Sequence, residues 1–302
     1  MNSELAIKLY VAIKENLIKT KKDFWDNFFN KENVEKINIS EKYRQEILSN
    51  KINLICFFDK DFPFPSNNIS KKDMPFLFAY KGDIKLLSQT NKNVAVIGVT
   101  SPLNSVIDRE RKFVEILAKN DMNVISGLAK GCDAIAHKTC LNNGGKTVAF
   151  LPSTLNKIYP FENKKLAERI EKNGGLIITE YVTEPKDKFE IIKRFISRDR
   201  LQAMYVKAVI LTASFSKGNG DSGARHAMQK AKCLNVQRYV LYNEKTDSNN
   251  KMFDLNKEQI DDGATILTEK NIKKNIFIQF CYITRCTQLV QMIDFLMCFT
   301  YR

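Results

Sequence analysis

The sequence predicts an α/β protein: a Rossmann-like, doubly wound, mostly parallel sheet preceded by a small helical domain. Three observations predict it. From Asn93 onward, short continuous apolar runs alternate with amphipathic stretches, the pattern of strands covered on both faces by helices. The first of these runs, Val94-Ala-Val-Ile-Gly98, ends in glycine where a strand must turn toward a helix. Residues 1–50 instead place Leu5, Leu9, Ala12 and Ile13, then Phe24, Phe28 and Phe29, at helical spacing.

The elements follow in order. Asn53 to Phe58 reads as a strand, Asp61 to Pro75 is Pro-rich and irregular, and Phe76 to Tyr80 is a second strand ended by Lys81-Gly82-Asp83. After the Val94 run, a helix is expected from Asp108 to Lys119, with Phe113, Ile116 and Leu117 on one face. Strand Asn123 to Ser126, helix Asp133 to Leu141, strand Thr147 to Leu151, helix Lys164 to Lys172 and strand Leu176 to Thr179 come next. Helix Phe195 to Met204, strand Ala208 to Ala213, helix Gly223 to Ala231 and strand Val236 to Tyr242 complete the alternation. The expected division is a helical unit over 1–50, the Rossmann-like unit over 51–275 and an apolar tail over 276–302. In that tail Arg285 and Asp294 break the apolar run well short of the ~20 residues a membrane span needs. Its stripe of Leu289, Met292, Ile293 and Leu296 predicts a docking helix or partner surface rather than an anchor.

The chain has 302 residues and a formal net charge of +14, with 44% apolar and 27% charged residues. That balance excludes a disordered chain, and 12 Gly, 7 Pro and 7 Cys exclude collagen-like and disulfide-scaffold classes. Met1 to Tyr10 carry mixed charge rather than a basic-then-apolar leader, there is no CxxC pair, and there are two histidines. A cytoplasmic, reduced protein without a metal or cofactor is therefore expected. Of the net charge, +10 falls in residues 91–275, which favours a polyanionic partner. An AT-rich codon bias toward Lys, Asn and Ile would give the same excess.

In an open parallel sheet, ligands sit beyond the carboxyl ends of the strands. Gly98-Val-Thr100 follows the first Rossmann-type strand. Ser126-Gly127-Leu-Ala-Lys130-Gly131 follows the second and opens a helix, where amide groups and Lys130 would suit a phosphate. The loop is neither GxGxxG nor GxxxxGK[ST], so nucleotide triphosphate hydrolysis has no motif behind it. Asp133 and His137 share a helix face; a structural role is favoured over an acid–base pair, because no nucleophile or third member stands nearby. Tyr159 and Phe161, flanked by Lys157, Lys164 and Lys165, are either base-stacking groups or loop anchors. Arg194, Arg198 and Arg200 crowd one helix beginning and suit phosphate oxygens, although one of them would equally hold Glu180 or Asp199. Ser222-Gly223-Ala-Arg225-His226 starts a second helix aimed at the same sheet edge; either Arg225 or His226 faces a ligand there, or Ser222 and Gly223 serve helix capping alone.

These segments, in this order over roughly residues 35 to 268, resemble the DNA-processing protein A family (DprA, also called Smf). Ser126 to His137 is similar to its SGxARGID-xx-AH signature, and Tyr159-Pro160 with Asn163 to its YPxxN element. Gly145 to Leu151 resembles G-x-T-x-AVL, and Gly174 to Tyr181 resembles G-x-L-x-SEY. Phe195-Ile-Ser-Arg198-Asp-Arg200 resembles FPxRNR. Where the family pattern has GSR this chain has Gly98-Val-Thr100, and Asp199 stands for the Asn of RNR. The resemblance implies a homodimeric, non-catalytic protein that binds single-stranded DNA and helps load a RecA-type recombinase on incoming DNA. It implies that Ser126, Gly127, Lys130 and Gly131 line a phosphate loop and that Arg198 and Arg200 form a basic pocket. The expected DNA surface is then Gly98, Thr100, Ser126, Gly127, Lys130, Gly131, Lys157, Phe161, Arg198, Arg200, Ser222, Gly223 and Arg225. A second reading, from a different class, is a nucleotide sensor or an enzyme resembling nucleoside-monophosphate phosphoribohydrolases, with Glu180 as its acid. A third is an interaction protein whose DNA site is lost with the Arg replaced by Thr100.

Overall fold

A computed structural model describes residues 2–65, 69–220 and 223–278. Four α-helices open the chain: α1 (Glu4–Lys14), α2 (Lys21–Asp23), continued by a π-helical turn over Phe24–Phe28, α3 (Lys31–Glu35) and α4 (Glu41–Ser49). Ser3 caps α1 by accepting from the Ala6 N–H, and Thr20 and Asp23 form a reciprocal capping box on α2.

The strands are β1 (Asn53–Cys56), β2 (Leu77–Gly82), β3 (Asn93–Ile97), β4 (Asn123–Ser126), β5 (Thr147–Phe150), β6 (Leu176–Thr179), β7 (Ala208–Leu211), β8 (Gln237–Leu241) and β9 (Thr265–Leu267). Between and after them run α5 (Asn104–Lys119), α6 (Cys132–Asn142), α7 (Lys164–Lys172), α8 (Lys188–Met204), α9 (Ala224–Cys233), α10 (Glu244–Asp247) and α11 (Asp254–Asp261). One nine-stranded sheet results, in the order β1-β2-β6-β5-β4-β3-β7-β8-β9. The seven strands from β6 to β9 in that order are parallel; β2 is antiparallel to both β6 and β1. The Rossmann-like, mostly parallel fold read from the sequence is the one found. The chain leaves β3 toward β4 on one side and reaches β7 on the other, so the switch point lies between β3 and β7.

Side-chain alternation divides the core. Ala95, Ile97, Ile125, Val148, Phe150, Val209, Leu211 and Val240 face α8 and α9 in one cluster. Their neighbours Val94, Val96, Val124, Ala208, Ile210 and Leu241 point to the opposite face, against α5. Farther along that second face, Leu77, Ala79, Ala149 and Ile177 share a cluster with Leu9, Phe24, Val34 and Ile47, so α1–α4 build their core on the sheet. Phe24 stacks on Phe76 at 4.2 Å. The free edge of β1 is occupied by Asn2, whose side chain accepts from the Leu54 N–H and donates to the Ile52 carbonyl.

The bounds of β4, α7 and β6 agree with expectation. The helix expected from Phe195 begins seven residues earlier, at Lys188. No Pro or Gly interrupts residues 186–205, and the Asp187 side chain caps the helix by accepting from the Glu190 N–H. Arg194, Arg198 and Arg200 therefore stand in mid-helix rather than at its start. The apolar stripe expected in the tail lies outside the described residues, as does Ser222. Among the described residues, no helix is long and apolar enough to cross a membrane.

Candidate nucleic-acid interface

The loops after β3, β4, β5, β6 and β7 gather at the carboxyl rim of the sheet. Two of them are locked together. A side chain at Gly131, which has φ of +70°, would place its Cβ 2.4 Å from the Val99 carbonyl oxygen. That oxygen accepts from the Cys132 N–H. Only glycine lets the second loop press so close on Gly98-Val99-Thr100. Asn163, from the loop after β5, donates to the carbonyls of Leu128 and Ala129 and clamps the second loop from its other side. Thr100, Lys130, Lys157, Tyr159 and Phe161 are exposed on this rim.

The anion cradle expected from Ser126 to Gly131 is occupied by the protein itself. The amides of Gly127 and Ala129 both donate to the Asp133 carboxylate, and the buried Ser126 hydroxyl donates to the Val96 carbonyl. A carboxylate four to six residues on in sequence fills the position a phosphate would take. This corrects the expectation for Ser126 and Gly127, which turn their polar groups inward.

Arg198 and Arg200 are corrected too. Arg198 is 4% exposed, with Nη1 3.7 Å from Asp133 Oδ2 and Nε 3.3 Å from Asp199 Oδ1. Its guanidinium lies so close over Gly127 that a Cβ there would sit 1.0 Å from Nη1. Arg200 is 8% exposed and donates to Glu180, to the Ser197 carbonyl and to the Asp73 carbonyl. Two positions apart on a helix, the two arginines diverge, and each meets internal acids. Arg194 likewise donates to Glu190 and the Thr183 carbonyl and lies over the Tyr181 ring. Glu180, the acid of the nucleotide-enzyme reading, is buried between Arg200 and Lys21, whose Nζ is 2.8 Å away.

Beneath the rim, His137 and Asp133 are both buried and hydrogen-bonded within the protein. The Thr147 hydroxyl donates to the Val124 carbonyl, so it accepts from His137 Nδ1, 2.7 Å away. Burial, reinforced by Arg198, lowers the His137 pKa to about 3 and keeps the ring neutral. Burial also raises Asp133, against the pull of Arg198. One guanidinium thus faces two buried carboxyls, and burial pushes Asp199 up to about 7, Arg198 pulling it down and Asp133 adding to the rise.

The sign for Asp199 follows from linkage. A carboxyl whose pKa is higher folded than unfolded contributes stability that is complete below the unfolded value, near ~3.9, and is lost as pH rises through about 7. Asp199→Asn should therefore match the parent at about pH 4 and exceed it by about 1–3 kcal/mol at about pH 8. Urea denaturation across that range checks it. A gap independent of pH, or a loss at pH 8, would contradict the assignment.

Of the remaining expected residues, Gly223 precedes α9 in a left-handed conformation, φ of +83°, beside Asp199 Oδ2, and Arg225 is half-buried. Gly98 lies against Cys132, where a Cβ would meet Sγ at 2.6 Å. The exposed Lys130 is held by Glu162, Nζ to Oε1 2.5 Å, and that contact raises the lysine pKa and lowers the glutamate. Lys157 lies 3.9 Å from Glu184. Sequence reasoning missed Glu162 as the partner of Lys130 and Asn163 as the loop clamp. It also missed the exposed residues on the first turns of α8, although Phe189, Ile192 and Ile196 carry helical spacing.

The family model described as DNA recombination-mediator protein A matches residues 53–277. Protein Smf of Borreliella burgdorferi is 33% identical over 179 residues, 58% of this chain and 54% of that protein. DNA processing protein DprA of Streptococcus pneumoniae R6 is 33% identical over 161 residues, 53% of this chain and 54% of that protein. The chain thus spans about half the length of these curated relatives. The crystal structure of DNA processing protein A from Streptococcus pneumoniae shares the fold at a TM-score of 0.66 and 23% identity, covering 90% of this chain and 93% of that one. DNA processing protein A from Helicobacter pylori, studied for its single-stranded DNA binding mode, gives a TM-score of 0.59 at 26% identity over 77% of this chain and 96% of that one. With the family model spanning all nine strands and the loops of the rim, the chain belongs to the DNA recombination-mediator protein A family.

Proposed function

We propose that the rim binds single-stranded DNA and that the chain acts as a recombination mediator, without catalysis of its own. The observation that carries this is the exposed set at the carboxyl rim: Lys130 and Lys157 beside Tyr159 and Phe161, the last 75% exposed. Lysines on a flexible polyanion and aromatic faces for unstacked bases are the two needs of a single-strand site. Lys164 and Lys165, also exposed and without an ion-pair partner among the described residues, extend the charge. The Helicobacter pylori relative, named for single-stranded DNA binding, supports the same reading. Arg198 and Arg200 serve it indirectly, by holding the loops in place. Loading of a RecA-type recombinase, as a homodimer, completes the proposal and rests on the family.

The test is a mobility shift with single- and double-stranded oligonucleotides over a salt series. About four phosphate contacts imply a log–log slope near −3 for single strands. A flat salt response, or preference for the duplex, would reject the mechanism. The nucleotide-enzyme reading has its own readout: release of free base from nucleoside monophosphates, which the buried Glu180 does not favour.

A further inference from the structure

We propose that the first turns of α8 extend the DNA track beyond the rim, with Phe189, Ile192 and Ile196 as its apolar floor and Lys186, Lys188 and Lys193 on its phosphates. This rests on the single-strand reading above. The three apolar residues are 76%, 55% and 43% exposed. They recur at i, i+3 and i+7, so they form one stripe on a helix whose opposite side is buried. Such a stripe open to water calls for an occupant.

Charge decides which. The acids of this segment are used internally: Asp187 caps the helix, and Glu190 accepts from the Lys186 N–H and from Arg194. Lys188 and Lys193 are exposed and have no ion-pair partner among the described residues, while Lys186, also exposed, acts on Glu190. An apolar stripe rimmed by uncompensated lysines repels a second copy of itself and attracts a polyanion with apolar faces. The stripe is also continuous with the rim, because Phe195 of α8 packs edge-on against Tyr159 at 5.6 Å. From Phe189 to Ile196 the stripe adds roughly 10 Å of track at 1.5 Å per residue. An oligonucleotide that ends at Phe161 would not reach it.

Length dependence is therefore the test, by fluorescence anisotropy with oligo-dT of about 5 and about 20 nucleotides. Phe189→Ala and the double variant Lys188→Glu/Lys193→Glu, all at exposed positions, should each weaken the longer oligonucleotide at least fivefold and the shorter less than twofold. Thermal melts confirm that the variants remain folded. Equal losses on both lengths, or none on either, would overturn the extended track, the second result assigning the stripe to a protein partner. Parent protein that retains neither oligonucleotide would instead reject the DNA reading itself, and the extension with it.

Discussion

Arg198→Met should destabilise the protein by about 3–5 kcal/mol at pH 7.5, as expected when one partner of a buried charge cluster is removed. Methionine reaches only as far as the Nε position, so the packing of the aliphatic stem is kept while the guanidinium over Gly127 is removed. What is lost is the only cation within ion-pair distance of Asp133 among the described residues. Both Asp133 and Asp199 would then have to be buried without it, which in practice means that they take up protons on folding. The loss should accordingly shrink at about pH 5, where protons are cheaply available. Adding Asp133→Asn and Asp199→Asn to the methionine variant should recover much of the stability, since a neutral cluster carries no uncompensated charge. Gly127→Ala approaches the same defect from the other side: its Cβ would overlap the guanidinium, and Arg198 would have to leave. Equilibrium urea unfolding measures all four proteins. A cost below about 1 kcal/mol for Arg198→Met at pH 7.5 would mean that the guanidinium faces solvent and that its place in the protein is a ligand contact after all. Under conditions where the variant is folded, its DNA affinity should fall only through the loosened loop, with the salt slope unchanged because no phosphate contact is removed.

Phe161→Ala should weaken single-stranded DNA binding by about 5- to 150-fold, the range for loss of one stacked base. The ring is anchored to nothing that its removal would disturb, being 75% exposed, so stability should not change. Lys130→Ala should cost less, and its signature is in the salt series: removing one phosphate contact should flatten the slope by about 0.7. Glu162 gives the sharper control. It holds Lys130 at 2.5 Å, and DNA must displace it to reach the ammonium. Glu162→Gln should therefore tighten binding, roughly threefold at low salt, by releasing the lysine and removing a charge that repels phosphate. Tighter binding from deletion of a surface ion pair is not expected if Lys130 and Glu162 merely decorate a solvated face. Titrations of the three variants at about 50 and 200 mM salt would settle it, and unchanged affinity in Phe161→Ala would remove the stacking role.

Much of the architecture is legible in the residues themselves. β3 and β7 are short apolar runs because both faces of a parallel sheet are covered, and no amphipathic alternative fits Val94 to Ile97 or Ala208 to Leu211. The glycines at 127 and 131 marked a loop where backbone and side chains approach closely, and they do. The antiparallel placement of β2 beside β6 was not legible, because strand pairing over such a separation depends on which edge is left open, not on local pattern. The start of α8 was missed for a local reason. Its first turns expose apolar residues to water, so the helix lacks the polar outer face by which amphipathic periodicity is recognised.

The chemistry of the site divides in the same way. By itself the sequence determined the family, the fold and the collection of cations, aromatics and helix starts at one rim, since residue types and their spacing along strands and helices are local properties. Whether a given cation meets a ligand or an internal acid was decided only by the tertiary structure. Lys130 and Arg198 are both basic residues in matching motifs, yet one ends at the surface on an exposed glutamate and the other between two buried aspartates. The difference is burial: a charge taken from water must find its counter-charge within a few ångströms, and the protein supplies Asp133 and Asp199 from elements that meet only when the chain has folded.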